Sequence, residues 1–170
     1  MKEKIKQISI RARVAFGILC LENALDNLEL KSNWQKVLEV LWIQTDIEYV
    51  DEWLYIVSKI MPDCILEDNY EDNKIISLQD YNTLKLLYSS SPKYILELIE
   101  FVFEIGTIEL YGKIMDYSEK TTQMVLEIIR IMEINKINYP ELKLFDKYSI
   151  LENNGWGRRF TKEQIFNNYN

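Results

Sequence analysis

Histidine is absent from this chain of 170 residues, and cysteine occurs only at Cys20 and Cys64. Without histidine there is no Ser-His or Cys-His nucleophile pair, no imidazole base and no histidine-containing metal site. Two cysteines are too few for a four-cysteine zinc site or a disulfide framework, and Cys20 sits in an apolar run, so both are read as reduced thiols in a cytoplasm. Five glycines and three prolines leave little room for β-turns and favour long helices with short connections. No charge-free apolar run reaches the roughly 18 residues of a membrane span. The N-terminus imitates a signal peptide, with basic residues before an apolar stretch. However, Glu22, Asn23 and Asp26 continue a helical pattern there and no small-residue cleavage site follows, which points to the first helix of a cytoplasmic protein. A basic surplus is also missing. The net charge is −7, which argues against a nucleic-acid partner held by its phosphates.

Hydrophobic content is 48%, as in a soluble globular protein. The most apolar long run is residues 92–113, PKYILELIEFVFEIGTIELYGK. At 100° per residue, Lys93, Glu97, Glu100 and Glu104 form one narrow polar stripe. Ile95, Leu98, Val102, Ile105 and Ile108 cover the opposite side. So apolar a helix belongs at the centre of a bundle. Glu109 falls on its apolar side, where a carboxylate must be paired, protonated or turned to a cavity. Pairing with Arg11 or Arg13 of the first helix makes these three a structural buried-charge group. Gly17 and Gly106 suggest a close crossing of the two helices.

The pattern predicts an all-α fold: one domain over residues 1–170, a bundle of about six helices with an irregular C-terminal segment. The first helix spans residues 3–28, with Ile10, Val14, Ile18, Leu21 and Leu25 on one stripe. Ser32 has capping-box spacing before a second helix that runs to residue 44. A third follows to residue 61, where Pro62 stops it, with a short turn over 63–66. Residues 67–76 form the clearest loop. Ser77 starts a helix to residue 89, Pro92 starts the central one, and Ser118 starts a sixth to residue 135. Thr161 caps a last short helix. Trp34, Trp42 and Trp53 follow core spacing, whereas Trp156, between two glycines, either pins the C-terminal segment or is an exposed binding aromatic.

No catalytic or metal-binding motif is present, and no cofactor is expected. The loop from Asp68 fails the calcium-loop pattern because Tyr70 stands at the third position and Asn73 at the sixth, where glycine is required. Glu97, Glu100 and Glu104 lack the Glu-x-x-His partners of a dimetal bundle and read as a solvated face. Arg158 and Arg159 make a small basic spot. The acidic residues are unevenly spread: residues 37–73 hold ten of them against Lys59 alone. Glu67, Asp68, Tyr70, Glu71 and Asp72 are the first candidates for partner binding, and Glu48, Asp51 and Glu52 the second. Tyr49, Tyr55 and Tyr70 interleave the acids, and tyrosine is a common interface anchor. Such a surface attracts a basic partner and speeds its association.

Three stretches, IRARVAFGILCLENAL, ILEDNYED and ENNGWG, together with the size and acidity, make the chain resemble the small bacterial immunity proteins of polymorphic or contact-dependent toxin systems. The resemblance implies a cytoplasmic, non-catalytic protein that binds and blocks a cognate toxin domain, often a nuclease. No individual residue carries over from it. The alternatives are a regulatory or adaptor domain, an acidic DNA mimic, and an enzyme using Glu109 in a cavity.

Overall fold

In the computed structural model the chain is all-α, with a lone antiparallel bridge between Ile8 and Ser149 and no strand among the described residues. The structure describes residues 1–72, 75–115 and 117–167, without the side chains of Ser32 and Asp72. The helices are α1 (Lys2–Gln7), α2 (Ile10–Asn27), α3 (Gln35–Asp46), α4 (Val50–Val57), α5 (Pro62–Glu67), α6 (Leu78–Ser90), α7 (Lys93–Thr107), α8 (Glu119–Ile134) and α9 (Lys162–Phe166). The count therefore exceeds the expected six, because short helices fill the connections. Among the described residues no helix is long and apolar enough to cross a membrane.

The buried apolar residues form one cluster built around α2. Residues 10–22 of α2 are buried all round, and its most extensive partner is α7, with α3 and α8 on its other sides. Ile95, Leu98, Ile99, Val102 and Ile105 of α7 are buried, which makes the α2–α7 pair the axis of the bundle. The two glycines do not face each other. A Cβ on Gly17 would sit 2.8 Å from Val102, whereas one on Gly106 would sit 2.7 Å from the ring of Trp53. Gly17 thus lets α7 approach α2, and Gly106 lets the Trp53 indole of α4 pack against α7.

The expected first helix is broken. Ile8 is extended, and Ser9 accepts from the Ala12 N–H (3.3 Å) to cap a new start at α2. The break is held from far along the chain: Ser9 N–H donates to the Tyr148 carbonyl (2.8 Å) and Ile150 N–H to the Gln7 carbonyl (2.9 Å). Pro62 opens α5 at its first position, where its missing N–H costs nothing. The central helix ends at Thr107, six residues short of the expected end, so Glu109 lies in the turn beyond it. Ser77, Ser118 and Thr161 cap α6, α8 and α9 as their spacing predicts. The Ser32 side chain and residues 73–74 of the expected loop fall outside the described set; α3 itself starts at Gln35 with no side-chain cap.

A buried carboxylate ties α9 to the bundle. Glu22 of α2, whose side chain is 5% exposed, accepts from the Lys162 ammonium (2.6 Å) and the Trp42 indole N–H (2.7 Å), with Lys31 at 3.3 Å. Lys162 also stands over the Trp42 ring. Glu22→Ala strands the indole N–H and unties α9; it is expected to cost about 2–3 kcal/mol in urea unfolding.

Candidate functional site: an acidic face over α4, α5 and α7

Asp63 and Glu67 stand on α5, and Asp68 follows its last residue. All three are exposed, and together with Ser58, Met61, Cys64 and Phe103 they line a shallow depression of about 200 Å³. Phe103 belongs to α7, where positions 100, 103 and 104 share one helical face. The ring is half-buried, 6.2 Å from Trp53. The depression therefore joins α5 to the polar stripe of α7. Glu100 and Glu104 are exposed on either side of Phe103, and Glu97 further back is half-buried and paired with Lys93 at 2.9 Å.

Asp63 of α5 and the α7 acids act on one carboxyl. The Glu100 carboxyl is pushed above its ordinary range, first by partial burial and then by the charges of Asp63, Glu104 and Glu97, against the pull of Lys93. Because the folded state binds this proton more readily than the unfolded chain, the penalty is fully present at neutral pH. It is relieved as pH falls through the interval between the raised and the ordinary pKa. A carboxyl-carbon NMR titration is expected to place the Glu100 midpoint above that of a glutamate in an unfolded peptide, and Asp63→Asn to lower it.

The candidates of the first set are not equivalent. Glu67, Asp68 and Glu71 are exposed. Tyr70 is half-buried and packs edge-on against Tyr81, with centroids 5.5 Å apart, while the Tyr81 hydroxyl donates to the Asp68 carbonyl (2.6 Å). Tyr70 and Tyr81 thus fasten the acidic loop to α6. The Asp72 side chain lies outside the described residues. The second set divides. Asp51 and Glu52 are exposed in the first turn of α4 beside Tyr49 (58% exposed), and Tyr55 (61% exposed) lies one turn further on. Glu48 instead faces Arg159, 3.7 Å away, at the C-terminal segment. The stripe that reads as plain solvated surface, Glu97, Glu100 and Glu104, is the part that sequence reasoning missed. The signal was a fold relation: the chain brings α5 beside Phe103 of α7 at one depression.

The three buried charges occupy separate places. Arg11 donates to the Gln44 carbonyl and to the Ile47 carbonyl (2.8 Å), closing the end of α3. Arg13, fully enclosed, donates to the carbonyls of Ile5 and Ile8 from Nε (both 3.1 Å), of Lys6 (3.3 Å) and Tyr117 (2.8 Å) from Nη2, and of Ser118 (3.0 Å) from Nη1. Its Nη1 also donates to the Thr121 hydroxyl at 2.6 Å. Burial lowers its pKa to about 10, opposed by Glu109 and Glu119, so it stays charged at neutral pH. Glu109 is 9% exposed and accepts from the Ser118 hydroxyl at 2.7 Å. Direct pairing with an arginine of the first helix gives way to an indirect link, in which Ser118 stands between Glu109 and Arg13. Glu109 is also not among the residues lining the cavity of about 620 Å³ beside its turn.

That cavity marks a second surface. Tyr117 (53% exposed) and Leu151 (81%) line it, with half-buried Trp156 at its wall, and Tyr111 (86%) and Met115 (62%) are exposed in the same turn of chain. Trp156 thus both pins and lines: its carbonyl accepts from the Arg11 N–H (3.3 Å) while its ring stays partly open. Among the described residues no cluster of His, Cys, Asp or Glu is arranged to hold a metal ion.

No family model, curated protein or solved structure matches this chain. The functional reading therefore rests on its own geometry and on the resemblance in its sequence.

Proposed function

We propose that the protein works by binding: its acidic face over α4, α5 and α7 captures a basic partner, in the manner of an immunity protein that neutralises a cognate toxin domain. The observation that carries the reading is that Asp63, Glu67 and Asp68 line one depression with Phe103 of α7, while Asp63 also acts with Glu104 and Glu97 on the Glu100 carboxyl. Like charges held this close cost stability, and a partner bearing lysine or arginine relieves that cost. Phe103 and the exposed Tyr55 offer the aromatic surface on which such a partner seats. For a nuclease toxin the mechanism is occlusion, with carboxylates standing where substrate phosphates would lie. The partner class, the bacterial setting and the cytoplasmic location come from the resemblance. Co-expression with the product of the neighbouring gene tests the reading. Rescue of growth and co-purification are expected; a neighbour that is neither toxic nor bound counts against it.

A second reading is an adaptor that docks through an apolar surface. It is favoured by the exposure of Tyr117 and Leu151 at one cavity and of Tyr111 and Met115 in the same turn of chain, since tyrosine and methionine are enriched in interface cores.

A further inference from the structure

We propose that the pocket walled by Lys147, Arg158 and Arg159 binds a small molecule through a phosphate or carboxylate group. The proposal is independent of the acidic face. The pocket has a volume of about 340 Å³, and its wall is completed by Tyr148, Phe160 and two amide side chains, Gln164 and Asn167. Three cations and no carboxylate line it, in a chain whose net charge is −7.

The cations are held in place. Lys147 donates its ammonium protons to the carbonyls of Gln164 (2.6 Å) and Ile165 (3.3 Å). Arg158 Nη2 donates to the Lys147 carbonyl at 2.9 Å. Both charges stand 5.4 Å from the centroid of the Tyr148 ring, which stacks on Phe160 with centroids 3.9 Å apart. This buried aromatic pair is a rigid floor. The guanidinium of Arg158 keeps further N–H donors unspent, and Arg159 touches only Glu48, at 3.7 Å, among the described residues. Gln164 spends its carbonyl oxygen on the Thr161 N–H (2.9 Å), which leaves its NH₂ group to donate. Every side chain free to act at the rim is thus a donor.

The nearby acids do not fill the pocket. Glu48 meets Arg159, and Glu152 accepts from the backbone N–H of Arg158 at 3.3 Å. The positive field reaches inward as well: burial lowers the pKa of Arg11 to about 10, and Arg159 adds to that lowering. Two guanidinium forks on a fixed floor suit a tetrahedral or planar oxyanion, which accepts paired N–H bonds. Nucleic acid is a poor occupant, because the chain carries a net charge of −7.

The test is titration of the full chain with sodium pyrophosphate and, separately, with sodium citrate, at constant ionic strength set by chloride. Arginine side-chain N–H resonances and the thermal midpoint are the readouts. The expected result is saturable shifts at millimolar ligand or below and a raised midpoint, with the tighter arm distinguishing phosphate from carboxylate. Arg159→Gln should weaken binding at least tenfold. Arg158→Lys should weaken it comparably although the charge is kept, because the fork is lost. Lys147 is left alone because it holds α9. Should Arg158→Lys unfold the chain, Arg159→Gln alone decides. Shifts that never saturate in either arm, or equal affinity in the wild type and Arg159→Gln, overturn the proposal.

Discussion

Arg13→Met is expected to destabilise the fold by about 3–5 kcal/mol, measured as the loss of unfolding free energy in urea. The methionine fills much of the volume but donates nothing. Five carbonyls and a hydroxyl accept from this one guanidinium. Three of the carbonyls belong to the end of α1 and its exit, and two to the turn before α8. The Ser118 carbonyl keeps the Thr122 N–H (3.0 Å) and the Ile5 carbonyl the Ile8 N–H (3.3 Å), so the loss falls most heavily on the carbonyls of Lys6, Ile8 and Tyr117. The turn is itself strained, since Tyr117 and Ser118 both have positive φ (58° and 51°). Such conformations persist only where surrounding bonds over-determine them. Arg13→Lys retains the charge but not the fork, and an ammonium with three protons cannot serve six acceptors on two segments. It should therefore recover only a small part of the loss. Glu109→Gln is milder, because its amide oxygen still accepts from Ser118.

This centre also shows why the sequence was only partly legible. That Arg11, Arg13 and Glu109 are interior groups followed from their apolar neighbours. Their partners did not, because Arg13 is satisfied mainly by backbone carbonyls, which carry no residue-type signature. The same holds for the break at Ser9. Apolar spacing runs through it from Ile5 to Leu25 without interruption. The deciding bonds come from Tyr148 and Ile150, far along the chain. Helix starts marked by local capping, at Ser77, Ser118 and Thr161, were readable because the cap lies within three residues of what it caps. The acidic face was half readable. Its density over residues 37–73 is plain in the sequence, whereas the share supplied by Glu100 and Glu104 depends on the fold bringing α5 beside Phe103 of α7. Arg158 and Arg159 were visible as a pair, but not the Lys147 that makes them a pocket.

The second large effect concerns association. Replacing Glu67, Glu71, Glu100 and Glu104 by lysine should slow capture of the basic partner by about ten- to a hundred-fold at low salt, measured by stopped-flow, while the helical circular dichroism is kept. The four side chains are exposed or at the surface, so reversal removes steering without emptying the core. The wild-type rate should fall as salt is added, and the rate of the reversed chain should rise or stay flat.

The most direct measurement is a footprint of the partner on this chain, by amide hydrogen exchange or chemical-shift mapping of the co-purified complex. Protection is expected over α4, α5 and the outer face of α7, centred on Asp63, Glu67, Glu100 and Phe103. Protection confined to residues 111–117 and 150–156, with the acidic face unchanged, would contradict the account and make the apolar cavity the docking surface.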